Sequence, residues 1–145
     1  NYIEPDELVN LIEVFWKEKD RFIDGYVQKN PLNLTYRNLN IIKDFKYGMR
    51  KNFLLAVYEK NYTVLNDEGI NYMVKGLNEN LDKFIPAEKT PMLIQTAIMP
   101  FNGMIIYDGF ISTADMQLSQ ELVSKAFEDY SYGQKIYSLL PKNMN

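Results

Sequence analysis

Neither cysteine nor histidine occurs anywhere in the 145 residues. The first absence removes disulfides, thiolate nucleophiles and cysteine-based zinc sites. The second removes the side chain that titrates near neutral pH and serves most often as general base or metal ligand. Enzyme chemistry would therefore rest on carboxylates, Lys, Tyr or Ser. There is also no apolar run of eighteen residues and no Arg-rich presequence, so neither a membrane span nor a targeting peptide is expected. A cytoplasmic location is expected, although a leader already removed would leave no trace. Phosphate-binding Walker loops, Gly-x-Gly-x-x-Gly fingerprints and Gly-x-Ser-x-Gly elbows are missing too. Asn66, Asp67 and Glu68 form the densest oxygen-rich cluster, but they lack the twelve-residue calcium-loop spacing and suit a turn better. No metal and no cofactor is expected.

What is present fits a compact fold. Hydrophobic residues make up 46% and charged residues 24% of the chain, a balance that predicts one self-sufficient soluble domain over residues 1–145. The net charge of -3 is unevenly spread. Residues 31–60 form the only basic zone, with Arg37, Lys43, Lys46, Arg50, Lys51 and Lys60 against Asp44 and Glu59.

Along the chain, Leu8, Ile12, Phe15, Ile23 and Tyr26 recur at helical spacing, and Pro5, Asp6 and Glu7 suit a first turn. They predict one helix over 5–29, ended by Pro31. A shorter helix is expected over 34–47 and stopped by Gly48, so that 5–47 is helical. A β-rich region over 52–111 follows: Phe53–Tyr58, Tyr62–Leu65 and Ile70–Val74, then Met92–Met99 and Met104–Ile111 around an Asn102-Gly103 hairpin turn. The stretch 78–85 is expected to form a short helix or turn. A last helix over 113–130, capped by Ser112 or Thr113 and carrying Asp115 in its first turn, completes the pattern. The fold class predicted is α+β: a five-stranded antiparallel meander flanked by N-terminal and C-terminal helices.

The stretch Pro100-Phe101-Asn102-Gly103-Met104-Ile105-Ile106-Tyr107-Asp108-Gly109-Phe110 resembles a hairpin of small uncharacterised bacterial proteins, in which a Pro-Phe turn precedes an Ile-Ile-Tyr-Asp-Gly strand. The resemblance covers residues 52–111 if the preceding meander belongs to it, and it implies a bacterial source but no activity. The pattern has basic residues where this chain has Asn102 and Met104, which weakens any anion-binding role at the turn.

Three function classes follow. The leading one is a non-catalytic binding or regulatory domain with a protein partner, using Trp16, Tyr107, Asp108 and Phe110, or an open sheet edge at Tyr62–Leu65 or Ile106–Phe110. Each of these residues also has a plain structural explanation as turn or core. The second is a nucleic-acid-associated protein, which requires the six cations of the basic zone, interleaved with Tyr, to converge on one face. An enzyme ranks last, and would need Tyr107, Asp108 and another acid in one deep pocket.

Overall fold

The computed structural model describes residues 4–77, 79–113 and 118–141. Contacts within the chain divide it into two compact units, Asn1–Tyr47 and Gly48–Asn145. The architecture is α+β.

The first unit is helical. Instead of one helix over 5–29 there are two, α1 (Pro5–Lys17) and α2 (Lys19–Lys29), separated at Glu18 (φ -118°, ψ 23°). The Glu18 amide is shared between the Val14 and Phe15 carbonyls, both at 3.2 Å, the tightened geometry of a helix end. Helix α2 closes on Asn30, which is left-handed at φ 43°. The Asn30 side chain then bonds both the amide and the carbonyl of Leu34, at 2.8 and 3.1 Å. Thr35 caps α3 (Tyr36–Asp44) by accepting from the Asn38 amide, and a 3-10 turn at Phe45–Tyr47 follows. Helices α2 and α3 pack together, tied further by Lys46 Nζ to Asp24 at 2.7 Å.

The second unit is built on strands β1 (Met49–Tyr58), β2 (Thr63–Asp67), β3 (Ile70–Lys75), β4 (Met92–Phe101), β5 (Met104–Tyr107), β6 (Ser112–Thr113) and β7 (Gln134–Ile136). Two-residue turns join β2 to β3 and β4 to β5. Their central pairs, Glu68-Gly69 and Asn102-Gly103, all have positive φ, as a hairpin turn matched to strand twist requires.

The expected five-stranded antiparallel meander is not what forms. Among the described residues there are seven strands, and the sheet is mixed. The cause lies in β1, which at ten residues is long enough to serve two neighbours. Its first part pairs with β4 and its last part with β2, both antiparallel, with a register shift between Leu55 and Val57. Pairing β1 with β4 curls the sheet shut in the order β1-β2-β3-β5-β4 and back to β1. Strand β5 is then left beside β3, where chain direction makes the pairing parallel, Val74 with Ile105 and Lys75 with Ile106.

Alternating residues fill the closed interior: Phe53, Leu55, Leu65, Val74, Ile94, Ile98 and Ile105 are essentially inaccessible. Burying each such side chain contributes about 1.5–3 kcal/mol. Leu81 and Ile85, in and just after a 3-10 turn (Leu81–Lys83) between β3 and β4, join the same cluster.

The last helix, α4 (Gln120–Tyr132), starts later than expected and is capped by Ser119, whose Oγ accepts from the Leu122 amide at 3.2 Å. Ser112 and Thr113 form β6 instead of a cap. Positions 114–117, with Asp115, and Asn78 lie outside the described residues. Helix α4 lies on the outside of β1, β2 and β3, where Tyr130 packs on the Ala56, Val64 and Met73 cluster. A Cβ on Gly133 would sit 2.3 Å from the carbonyl oxygens of both Gly69 and Asp129. Only glycine lets the helix end approach the β2–β3 turn so closely. The chain then adds β7 in parallel along β3.

Candidate functional site

Strand β5 ends at Tyr107 opposite Ile98, and a short crossing over residues 108–111 carries the chain on along β4 to β6, where Ser112 and Thr113 pair with Gln95 and Ile94. The crossing is made by an Asp-Gly turn. The Asp108 carboxylate accepts from the Phe110 amide at 2.9 Å, while Gly109 takes φ 88°. The Asp108 amide donates to the Ala97 carbonyl at 3.1 Å, and Arg50 Nη1 donates to the Phe110 carbonyl at 3.2 Å. Arg50 is thus a clamp on this crossing.

Beside the crossing lies a cleft of about 690 Å³, lined by Leu77, Glu79, Phe84, Ile85, Tyr107, Asp108, Gly109, Ile111 and Thr113. Its chemistry is mixed. Leu77 and Phe84 are 58% and 62% exposed, unusually open for large apolar side chains at a concave site, whereas Ile85 is anchored in the core. Glu79 and Asp108 supply carboxylates. Burial pushes the Asp108 carboxyl above its ordinary value, opposed by the Phe110 amide and by the positive charge of Arg50. The Tyr107 hydroxyl donates to the Glu79 carbonyl at 2.6 Å. Its pKa is raised by burial and then by the charges of Glu79 and Asp82.

The residues picked out from sequence are therefore only partly brought together. Tyr107 and Asp108 share the cleft. Phe110, 46% exposed, sits between two lining residues without lining the cleft itself. Trp16 belongs to the helical unit, half-buried on α1 with its ring edge-on to Phe15 at 5.6 Å. Leu77, Glu79, Phe84 and Ile85 escaped the sequence reading, although Leu77, Leu81, Phe84 and Ile85, set among polar residues between Gly76 and Pro86, were a visible signal.

The six cations divide evenly, Arg37, Lys43 and Lys46 in the first unit and Arg50, Lys51 and Lys60 in the second. Lys46 pairs with Asp24, and Lys51 with Asp67 at 3.1 Å. Arg50 and Lys51 are consecutive on β1 and so face opposite sides of the sheet, while Lys60 lies beyond the far end of that strand. The three cations of the second unit form no common face. The expected open edges are also absent: β2 is flanked by β1 and β3, and β5 by β3 and β4.

Five strands close in this order, with the third parallel to the fifth, and α4 packs on the outside of β2 and β3. No protein-family model matches the chain, and no curated protein or solved structure was found to match it. Among the described residues no helix is long and apolar enough to cross a membrane.

Proposed function

We propose that this chain is a non-catalytic binding domain that takes a segment of a partner protein into the cleft beside Asp108, the segment presenting an apolar side chain next to Lys or Arg. The observation that carries this reading is the placement of exposed Leu77 and Phe84 beside the carboxylates of Glu79 and Asp108 in one concavity. Apolar side chains left open in a cleft gain from being covered. The two carboxylates favour a cation at the rim and oppose the phosphates of a nucleic acid. A catalytic role draws less support, because the Tyr107 hydroxyl is committed to a main-chain carbonyl.

The test is selection of a displayed random peptide library on the full chain, followed by titration of the selected peptides. An apolar-plus-basic consensus is expected. Phe84→Ala should weaken binding about tenfold, the cost of one truncated hot-spot side chain, and Asp108→Asn should weaken it less, while Lys60→Ala, remote from the cleft, should not. Failure to enrich such peptides, or affinity indifferent to Phe84→Ala, overturns the reading. Tight binding of a labelled single-stranded oligonucleotide, lost at higher salt, would favour the nucleic-acid class instead.

A further inference from the structure

A second concavity lies between α4 and the outer face of β1, β2 and β4. Register fixes its floor, because Leu54 on β1 pairs with Asn66 on β2 and with Leu93 on β4. Their neighbours Phe53, Leu55, Leu65 and Ile94 fill the closed interior, so Leu54, Asn66 and Leu93 point outward. Helix α4 supplies the opposite wall, with Leu122 and Ala126 one turn apart and Leu118 just before the helix. Ala126 is buried, whereas Leu122 is 49% exposed. Between this wall and the floor runs a groove of about 260 Å³, a space for a ligand smaller than an ordinary drug-sized molecule.

Asn66 gives this groove its chemistry. It is only 5% exposed, and its orientation is dictated from α4. The Asp129 carbonyl can only accept, so Asn71 turns Nδ2 to it and Oδ1 to Asn66. Asn66 must then answer with Nδ2. Asn66 lines the groove, and its remaining Oδ1 accepts no hydrogen bond among the described residues. An acceptor so nearly buried is penalised while it lacks a donor, and a ligand N–H that reached it would relieve that penalty. Charge selects among donors. Asp67 lines the groove but is paired with Lys51 at 3.1 Å. Of the other charged lining residues, Glu68 and Asp129 outnumber Lys125, and the remaining charges of α4, Glu121 and Glu128, are acidic as well. We propose that this groove binds a small primary amine with an apolar body, its ammonium group donating to Asn66 Oδ1 and its hydrocarbon part lying against Leu54, Leu93 and Leu122. The groove shares no lining residue with the cleft beside Asp108 and does not depend on the function proposed there.

Titrating phenethylamine into the isotope-labelled full chain should shift the NMR signals of the Asn66 side-chain amide and of the Leu54 and Ala126 main-chain amides. A dissociation constant of about 1 mM is expected, ordinary for so small a ligand. The N,N,N-trimethyl derivative keeps the charge but has no N–H, and should bind about tenfold more weakly, the loss of a hydrogen bond made by a charged group. Phenylacetate, the anionic counterpart, should not bind in the same range. Leu122→Trp fills the groove from an exposed position, so it should abolish the shifts and leave the circular dichroism spectrum unchanged. Phe84→Ala, in the cleft, should leave the shifts in place, which separates failure here from failure of the peptide-binding reading. No shift at about 10 mM phenethylamine, equal binding of the trimethyl derivative or of phenylacetate, or shifts that survive Leu122→Trp or vanish with Phe84→Ala overturns the inference.

Discussion

The side chain of Asn71, wholly buried in β3, donates from Nδ2 to the Asp129 carbonyl of α4 at 2.9 Å. Its Oδ1 accepts from Asn66 Nδ2 at 3.0 Å. One amide thus satisfies both a neighbouring strand and the last turn of the helix that covers the sheet. Asn71→Ala leaves the buried Asn66 amide without this partner, and should cost about 1–3 kcal/mol for the amide left unsatisfied, whereas the Asp129 carbonyl keeps the Gly133 amide at 2.7 Å. Urea unfolding should show the loss, and hydrogen exchange should show it concentrated in α4 and β7.

Thr96 presents the reverse case. It is completely inaccessible on β4, and its Oγ1 has no hydrogen-bond partner. A buried hydroxyl without a partner is penalised by desolvation. Thr96→Val keeps the branched shape and removes the polar atom, so it should raise the urea midpoint, by about 1 kcal/mol in stability. A lower midpoint would mean that the hydroxyl is satisfied in solution.

Much of the local structure was legible in the sequence. Asn102-Gly103 announced a two-residue turn, and the turn expected around Asn66, Asp67 and Glu68 forms with positive φ at Glu68 and Gly69. Pro5 and the acidic first turn of α1 also stand where the residues place them. Closure of the barrel was not legible, because it depends on β1 serving two partners along its length, and no local pattern distinguishes that from a long edge strand. The break at Glu18 carries no Gly or Pro to mark it. Of the cleft, Tyr107 and Asp108 were visible as a strand end and an Asp-Gly turn. The opposite wall, Leu77 and Phe84, comes from a loop whose position is set by Leu81 and Ile85 in the core.

Asp108 should make stability depend on pH in an unusual direction. Its pKa is raised by burial from an ordinary value of 3.8, so the ionised form is disfavoured in the folded state. The penalty is absent below about pH 3.8, grows as pH rises through the unfolded and then the folded pKa, and is constant above both. Asp108→Asn keeps an oxygen to accept from the Phe110 amide and removes the charge. The variant should melt higher than wild type at pH 7, and this difference should shrink to nothing as the pH falls below about 3.8. Equal melting temperatures at pH 7 would mean that Arg50 and the main-chain bonds offset burial completely.

The contact between α4 and the β1–β2 turn should fail at both extremes of pH. The Tyr130 hydroxyl donates to the Glu59 carboxylate, and Lys135 Nζ reaches the same oxygen at 3.1 Å. The bond from Tyr130, followed by the interaction with Lys135, holds Glu59 below its ordinary value of 4.5. The same bond holds Tyr130 above its ordinary 10.0. For the depressed carboxyl, the stabilisation is present above about pH 4.5 and is lost as pH falls through the folded pKa. For the raised phenol it is present below pH 10.0 and is lost as pH rises through the folded pKa. Tyr130→Phe removes the donor while leaving the ring on Val64 and Met73. It should therefore lower the melting temperature between about pH 5 and pH 9, with the difference from wild type narrowing on both sides of that window. A difference that persists unchanged at pH 3 would assign the effect to packing of the ring instead of to the bond with Glu59.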